Sequence, residues 1–399
     1  MTRSFSPYAY EFHEDPYPIY RWLREEAPAY WNEELRFWAL SRYDDVLRGF
    51  QDWQTFSNRA GVSLEQSEFG DPEQTTFFLS MDPPRHDRLR ALVSRAFTGK
   101  RVEALEPRIR ELARRYAARV APDGACDFIA DFSARLPMDV ISEMLGVPEE
   151  ERDQLRTWAD LVVHREDGMP HIPPQALEAS AKLIQHFARM VEERRRQPRG
   201  GLVEALLEAE VDGERLSDRD VISFLFLMII AGNETTTKLL GNALYWIAKN
   251  PEQRALVERD PSLIPRWVEE TLRYDNSSQI LGRILTRDLE LHGGKLREGD
   301  RVLLLVGSAN RDERAFPDPD RFDILRDTSG HLSFGKGIHF CLGARLARLE
   351  ARVGLETALE AFPEFEIDES GIRRVHSSNV RGFASLPIRF RPGALPDAG

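Results

Sequence analysis

The chain has 399 residues, of which 42% are hydrophobic and 30% charged, a composition that suits a globular protein able to bury an extensive core. Its formal net charge of −12, from 54 Lys+Arg against 66 Asp+Glu, argues against nucleic acid or an anionic membrane as a global partner. Cys126 and Cys341 are the only cysteines; they are too few for a disulfide framework and lack the CxxC spacing of zinc or redox sites, so a reduced, cytoplasmic setting is expected.

The opening MTRSFSPYAYEFHEDPYPIY lacks the basic and apolar regions of an export signal and the composition of a transit peptide. A β-type run at 36–40 and an irregular stretch at 51–81 precede a helix that begins near Pro83 and Pro84. That helix places His86 and Arg90, four residues apart, on one face. Apolar periodicity predicts further helices at 102–120, 134–146, 149–163 and 175–197, interrupted by a loop at 165–174. The run EERRRQPR at 192–199 reads as a solvated helix end whose cations favour the C-terminal dipole.

A long helix over 217–249 carries the apolar run VISFLFLMIIAG, which is too short to span a membrane and reads as core. At its middle stand Ala231, Gly232, Asn233, Glu234 and Thr235. An acid there costs free energy unless it is paired, hydrated or functional. A glycine followed by hydroxyl residues is also a place where a helix kinks and opens a groove. The helix at 262–275 then sets Glu270 and Arg273 on one face.

β-type runs at 283–291, 301–306 and 386–390 predict a minor sheet beside the helices. Between them, 312–340 is rich in Pro, Gly and Asp and leads into FGKGIHFCLG at 334–343, directly before a helix over 342–361. Gly335, Gly337 and Gly343 let the backbone around Cys341 turn tightly and approach a large planar ligand, while backbone N–H groups and the helix N-terminus stabilise a thiolate. The chain is therefore expected to be mainly α with a minor β-sheet, a single domain over 1–399 without repeats.

The string FGKGIHFCLG followed by ARLARLE resembles the cysteine-ligand loop of the cytochrome P-450 family, and the resemblance extends from PYPIYRWLREEAP to the terminal strands. It implies a triangular-prism fold around haem b (iron protoporphyrin IX), held non-covalently apart from a bond between the Cys341 thiolate and iron. By the same resemblance Thr235 hydrogen-bonds iron-bound oxygen and Glu234 links it to bulk protons. Glu270 and Arg273 match the family's ExxR pair, with Arg321 of DPDRF completing a structural triad that holds the Cys341 loop. His86 and Arg90 of DPPRHDRLR, with Arg283 and His339, match propionate-binding positions, and two propionates call for such cations. The stretch YDNSSQI after Arg273 lacks a proline that many relatives carry.

The implied activity is a monooxygenase reaction: one atom of O2 enters a hydrophobic small molecule by hydroxylation or epoxidation, and the other leaves as water. The thiolate pushes electron density to favour O–O cleavage. A peroxide-driven peroxygenase and a non-catalytic haem sensor or carrier are the alternatives; Glu234 and Thr235 favour dioxygen chemistry over the first, and the lack of an output domain weighs against the second. The pocket is expected from the Arg59 to Phe78 loop, the Leu161 to Pro174 connection, Ser277 to Leu281 and Asn379 to Phe383, with Phe77, Phe78, Leu227, Ile230 and Ile280 on its wall. With no flavin or iron–sulfur motif, electrons are expected from a ferredoxin-type partner, docking on a monomer where Lys336, Arg345, Arg88, Arg95, Lys100 and Arg101 cluster.

Overall fold

Helices form where apolar residues recur near every 3.6 positions, and the computed structural model describes residues 3–66, 77–94, 97–211 and 214–393. In chain order those longer than five residues are α1 (Tyr17–Glu26), α2 (Tyr43–Gln51), α3 (Arg85–Ser94), α4 (Glu106–Val120), α5 (Arg135–Leu145), α6 (Glu149–Val163) and α7 (Pro174–Arg196). There follow α8 (Leu202–Glu208), α9 (Asp218–Lys249), α10 (Pro251–Arg259), α11 (Ile264–Tyr274) and α12 (Ala344–Ala361). The expected 102–120 helix is divided, with a short turn at Gly99–Glu103 ahead of α4. The arginine run at the end of α7 is neutralised: Arg194 binds Glu204, Arg195 binds Asp218 and Arg196 binds Glu192.

α9 begins at a capping box in which the Ser217 hydroxyl accepts from Asp220 N and the Asp220 carboxylate accepts from Ser217 N, satisfying donors that a helix start leaves open. It then runs unbroken through the middle of the molecule. Its C-terminal half is buried against α11 and α12 by Leu240, Leu244, Trp267 and Leu355, all essentially inaccessible. Its N-terminal half packs with α5, α6 and α7 through Leu225, Ile229, Leu183 and Phe187. Burial on both sides fixes which face of α9 remains for a ligand.

A five-stranded sheet covers one end: β1 (Ala29–Asn32), β2 (Phe37–Leu40), β3 (Phe56–Ser57), β4 (Ile280–Leu285) and β5 (Arg301–Leu305), in the order β1-β2-β5-β4-β3. β5 runs parallel to β2, with Arg301 opposite Phe37 and Leu304 opposite Leu40, and antiparallel to β4. The expected single run at 283–291 is two elements, because the chain leaves the sheet after Leu285 and pairs Leu289–Leu291 with Gly294–Leu296 in a hairpin. At the hairpin's turn His292 and Gly293 both take positive φ. β4 places Arg283 beside the buried face of α2, with its cation 5.4 Å from the Phe50 ring.

Candidate functional site

The Cys341 loop is wound by its glycines. Gly335 and Gly337 both have φ of +69°, and a Cβ on Gly337 would stand 2.6 Å from the Phe50 carbonyl oxygen, so any side chain there is excluded twice over. Cys341 N donates to Phe334 O at 2.8 Å, closing the loop upon itself. A Cβ on Gly343 would meet nothing within 4 Å, because that position faces open space. Burial pushes the Cys341 thiol up, while the N–H groups of Gly343 and Ala344, with Arg90 and Arg348, pull it down. The start of α12 thus gives the sulfur the donors that a metal-bound thiolate requires.

Above this loop lies a cavity with about 260 Å³ of water-accessible space, bounded on one side by Cys341, Leu342 and Gly343 and on the other by Ala231, Gly232 and Thr235 of α9. Its apolar wall includes Phe78, Leu79, Ile141, Phe224, Leu227 and Leu281. One rim is cationic. His86 is buried, its Nδ1 2.9 Å from Asp87 Oδ1, and its ring lies 4.2 Å from that of His339. His86 Nε2 and both ring nitrogens of His339 are buried without a well-formed hydrogen bond. Burial, followed by His86, Arg283 and Arg90, drives His339 down to about 2. Arg283 is 5% exposed, donates to Gly282 O at 2.7 Å, and is pushed down to about 10 by burial. Arg90 reaches Phe340 O at 2.5 Å.

Two arginine cations and two histidines with unanswered ring nitrogens gather at this side of the cavity, an arrangement that an anion would complete. The donor set suits haem, with its sulfur beneath, a flat open approach at Gly343, and His86, Arg90, Arg283 and His339 placed to receive two carboxylates.

On α9 the Thr235 hydroxyl borders the cavity and donates to Ala231 O at 2.7 Å, while the Ser277 hydroxyl donates to the Thr235 carbonyl oxygen at 2.7 Å. That side-chain pattern loosens the helix locally without interrupting it. Glu234 does not face the cavity. It is 1% exposed, with Asn233 Nδ2 donating to its Oε1 at 3.2 Å and Lys238 Nζ 3.3 Å from its Oε2. Its carboxyl is held below the usual range by Lys238 and by a bond from Asp160 of α6, although burial opposes this.

Glu270 and Arg273 are fully buried and bidentate, with Nε to Oε2 at 2.8 Å and Nη2 to Oε1 at 2.7 Å. Arg321 is not the third member. A turn closed by Arg321 N donating to Asp318 O leaves the Arg321 side chain exposed and presents only its carbonyl to Arg273, at 3.2 Å. Arg326 folds back instead, its Nε 3.6 Å from Glu270 Oε1, and Asp323 N donates to the same oxygen at 2.8 Å.

The wall also departs from expectation. Phe78 and Leu227 line the cavity, whereas Ile280 is packed into the N-terminal cluster, Ile230 packs in the α5–α7 cluster, and Phe77 meets the Phe226 ring edge-on. The α6–α7 connection and Asn379 to Phe383 are likewise displaced from the described wall: Arg165 binds the buried Glu65, and Gly168 N donates to Tyr8 O. Residues 67–76 of the expected Arg59 to Phe78 lining lie outside the described residues, as does Arg95. The sequence reading passed over Glu350, which borders the cavity, bonds Thr236, and is pushed up to about 8 by burial. Its signal was the acid closing ARLARLE on a helix whose neighbouring positions are apolar.

The profile of the family described as Cytochrome P-450 matches residues 169–260 and 262–391. A Mycobacterium tuberculosis chain named cytochrome P-450 123 is 54% identical over 384 residues, covering 96% of each chain. The structure of CYP109Q5 from Chondromyces apiculatus superposes with a TM-score of 0.88 at 39% identity, covering 98% of this chain and 99% of that one. CYP109E1 from Bacillus megaterium in complex with testosterone gives 0.88 at 33% identity, covering 95% and 99%. A cysteine loop wound by glycines, a cationic rim with unanswered donors, and matches of this extent agree: the chain belongs to the cytochrome P-450 family, whose enzymes are monooxygenases.

Proposed function

We propose that the chain inserts one oxygen atom of O2 into a hydrophobic small molecule, with Cys341 as the residue that would ligate the iron of haem b and electrons drawn from a ferredoxin-type protein. The observation that carries this reading is the placing of the Cys341 sulfur and the Thr235 hydroxyl on opposite walls of one cavity, beside a rim of His86, Arg90, Arg283 and His339. When bound there, haem supplies the reductive activation of dioxygen.

The protein's own part is binding, orientation and proton supply. Arg90, Arg283, His86 and His339 would receive the propionates of a bound haem, and the amides of Gly343 and Ala344 would stabilise the sulfur as thiolate. Thr235 donates a proton from the α9 wall, and Glu234 replenishes it from behind the helix. This pair favours a dioxygen reaction over a peroxide-driven one. Phe78, Leu227 and Leu281 exclude water and select an apolar substrate. The apolar wall suits a hydrophobic substrate, and we take a steroid as the first class to test because a Bacillus megaterium relative is solved in complex with testosterone. A Soret shift on titration with testosterone tests that class.

Arg88, Lys100, Arg101 and Arg345 are exposed near the cysteine loop, and Lys336 is half-buried beside them. An acidic ferredoxin docking on a monomer there would be reduced in rate by salt, and a salt-independent electron transfer rate excludes it. Among the described residues no helix is long and apolar enough to cross a membrane, and we place the enzyme in the cytoplasm. The central test is Cys341→Ala, which should abolish the red-shifted ferrous–CO band of thiolate ligation. Retention of that band removes Cys341 from the iron.

A further inference from the structure

The YDNSSQI stretch, which lacks the proline that many relatives carry, leaves α11 at Tyr274 and runs along α9 before entering β4. Hydrogen bonds tie it to that helix at three residues. Trp246 Nε1 donates to Asp275 Oδ2 at 2.7 Å, Asn242 Nδ2 donates to Asp275 O at 2.8 Å, and the Ser277 hydroxyl donates to Thr235 O at 2.7 Å. Residues 235, 242 and 246 are seven and four positions apart, so they lie on one stripe of α9.

The segment is itself firmly held. Asp275 is fully buried and accepts from the Tyr17 hydroxyl at 2.6 Å and from Arg381 Nε at 2.7 Å, while Ser277 O accepts from Arg381 N at 2.7 Å. Its ties to Asn242 and Trp246 reach the half of α9 that is already packed against α11 and α12. The third tie reaches the turn whose Ala231 and Thr235 side chains border the cavity instead. There the Thr235 hydroxyl donates to Ala231 O, and a threonine that bonds back in this way loosens its own turn. The Thr235 carbonyl oxygen keeps a second lone pair beyond the one that the helix uses, and Ser277, 5% exposed, fills it from outside. Thr235 is thus gripped by its side chain and by its main chain, and the second grip comes from another element.

We propose that Ser277 is a positioning residue for Thr235: its hydroxyl holds the cavity-bordering turn of α9, so that the Thr235 hydroxyl keeps one place on the wall. A proline at 277 could not make this tie, having no hydroxyl to offer. Asp275 alone would fix the segment to the buried half of α9 and leave the turn above it free. Loss of the Ser277 hydroxyl should therefore act at the cavity and not on the fold. The inference rests on the haem-thiolate reading above.

The C–O stretching band of the ferrous–CO holoprotein tests this without turnover, because it responds to the dipole of a hydroxyl beside it. Ser277→Ala should shift and broaden the band, while the melting temperature stays within about 2 °C of wild type, as for one lost hydrogen bond in a chain of this length. Ser277→Thr, which keeps a hydroxyl, should return the wild-type band. In a Thr235→Ala background, Ser277→Ala should leave the band where Thr235→Ala alone puts it, since a residue acting through the Thr235 hydroxyl then has nothing to position. The proposal is overturned by a band unchanged in Ser277→Ala, by Ser277→Thr indistinguishable from Ser277→Ala, or by equal displacement with and without the Thr235 hydroxyl; in each case the haem-thiolate reading stands. Equal displacement would assign Ser277 to direct contact with the bound molecule. A wild-type protein that gives no red-shifted ferrous–CO band overturns both.

Discussion

Replacing Glu270 by glutamine isolates the worth of the ion pair beneath the cysteine loop. The carboxylate accepts from Arg273 Nε at 2.8 Å, Arg273 Nη2 at 2.7 Å and Asp323 N at 2.8 Å, in a site with no accessible surface. The remaining guanidinium donors reach the carbonyls of Asn310, Pro319 and Arg321, so Arg273 pins the segment that leads to Cys341. Glutamine keeps the volume but removes the charge and turns an amide donor toward a guanidinium donor. Breaking one partner of a buried pair costs about 3–5 kcal/mol, because the other charge is left uncompensated. An unfolding entropy of ~2.1 cal/mol/K per residue amounts to ~0.8 kcal/mol/K for this chain, so the loss lowers the melting temperature by roughly 5 °C. The neighbouring Glu269 is the control: its side chain is 28% exposed and pairs with Arg348 at 2.6 Å, and Glu269→Gln should cost about 1 kcal/mol, or roughly 1 °C. Thermal melts followed by far-UV circular dichroism and by the Soret band read both variants. If Glu270→Gln melts no lower than Glu269→Gln, the uncompensated-charge reasoning is wrong.

Thr235→Ala should retain haem and accept electrons but release hydrogen peroxide in place of product; coupling unchanged in both Thr235→Ala and Glu234→Gln would remove these residues from the proton supply. Gly343→Val places a side chain in the open space facing the cavity, so haem content should fall several-fold while the melting of the haem-free protein is unaltered, and full occupancy refutes the assigned approach. Glu269 is held down at about 2 by His331 and Arg348 despite its burial. Since its folded value lies below its usual 4.5, its stabilisation is complete above that pH and is lost as the pH falls toward 2. Urea midpoints across this window should decline less steeply in Arg348→Ala than in wild type; parallel declines refute the assignment.

The parts of the site legible in sequence are those whose geometry admits few residues. A loop with two glycines at positive φ and a third facing open space restricts the chain at fixed spacing from Cys341, and α9 is announced by its apolar run and capping box. What was not legible depends on contacts between distant segments. DPDRF points to Arg321, but a turn at Asp318 rotates that side chain outward and leaves the inner place to Arg326. Ile280 and Ile230 read as wall residues because they are apolar and near the motifs, yet the pleat of β4 and the rotation of α9 direct them into separate cores. Ser277 and Thr235 are linked by the passage of the segment after α11 along α9, which no local spacing encodes.

The parallel pairing of β2 with β5 sets an order on synthesis. Residues 37–40 have their partners at 301–304, so the amino-terminal hairpin leaves the ribosome well before the strand that completes it. At ~5–20 residues per second that interval is roughly 15–50 s, during which β2 presents an unpaired edge. Arg283 is fixed only when β4 pairs with the same late strand, and Cys341 is translated later still. Cofactor capture therefore belongs to the end of translation or after it, when a nascent chain already most of its full length has waited with an open sheet edge. By then β5 has closed the edge of β2, so the sheet that carries Arg283 is paired before Cys341 emerges, and the wait for the cofactor is spent with that edge already covered.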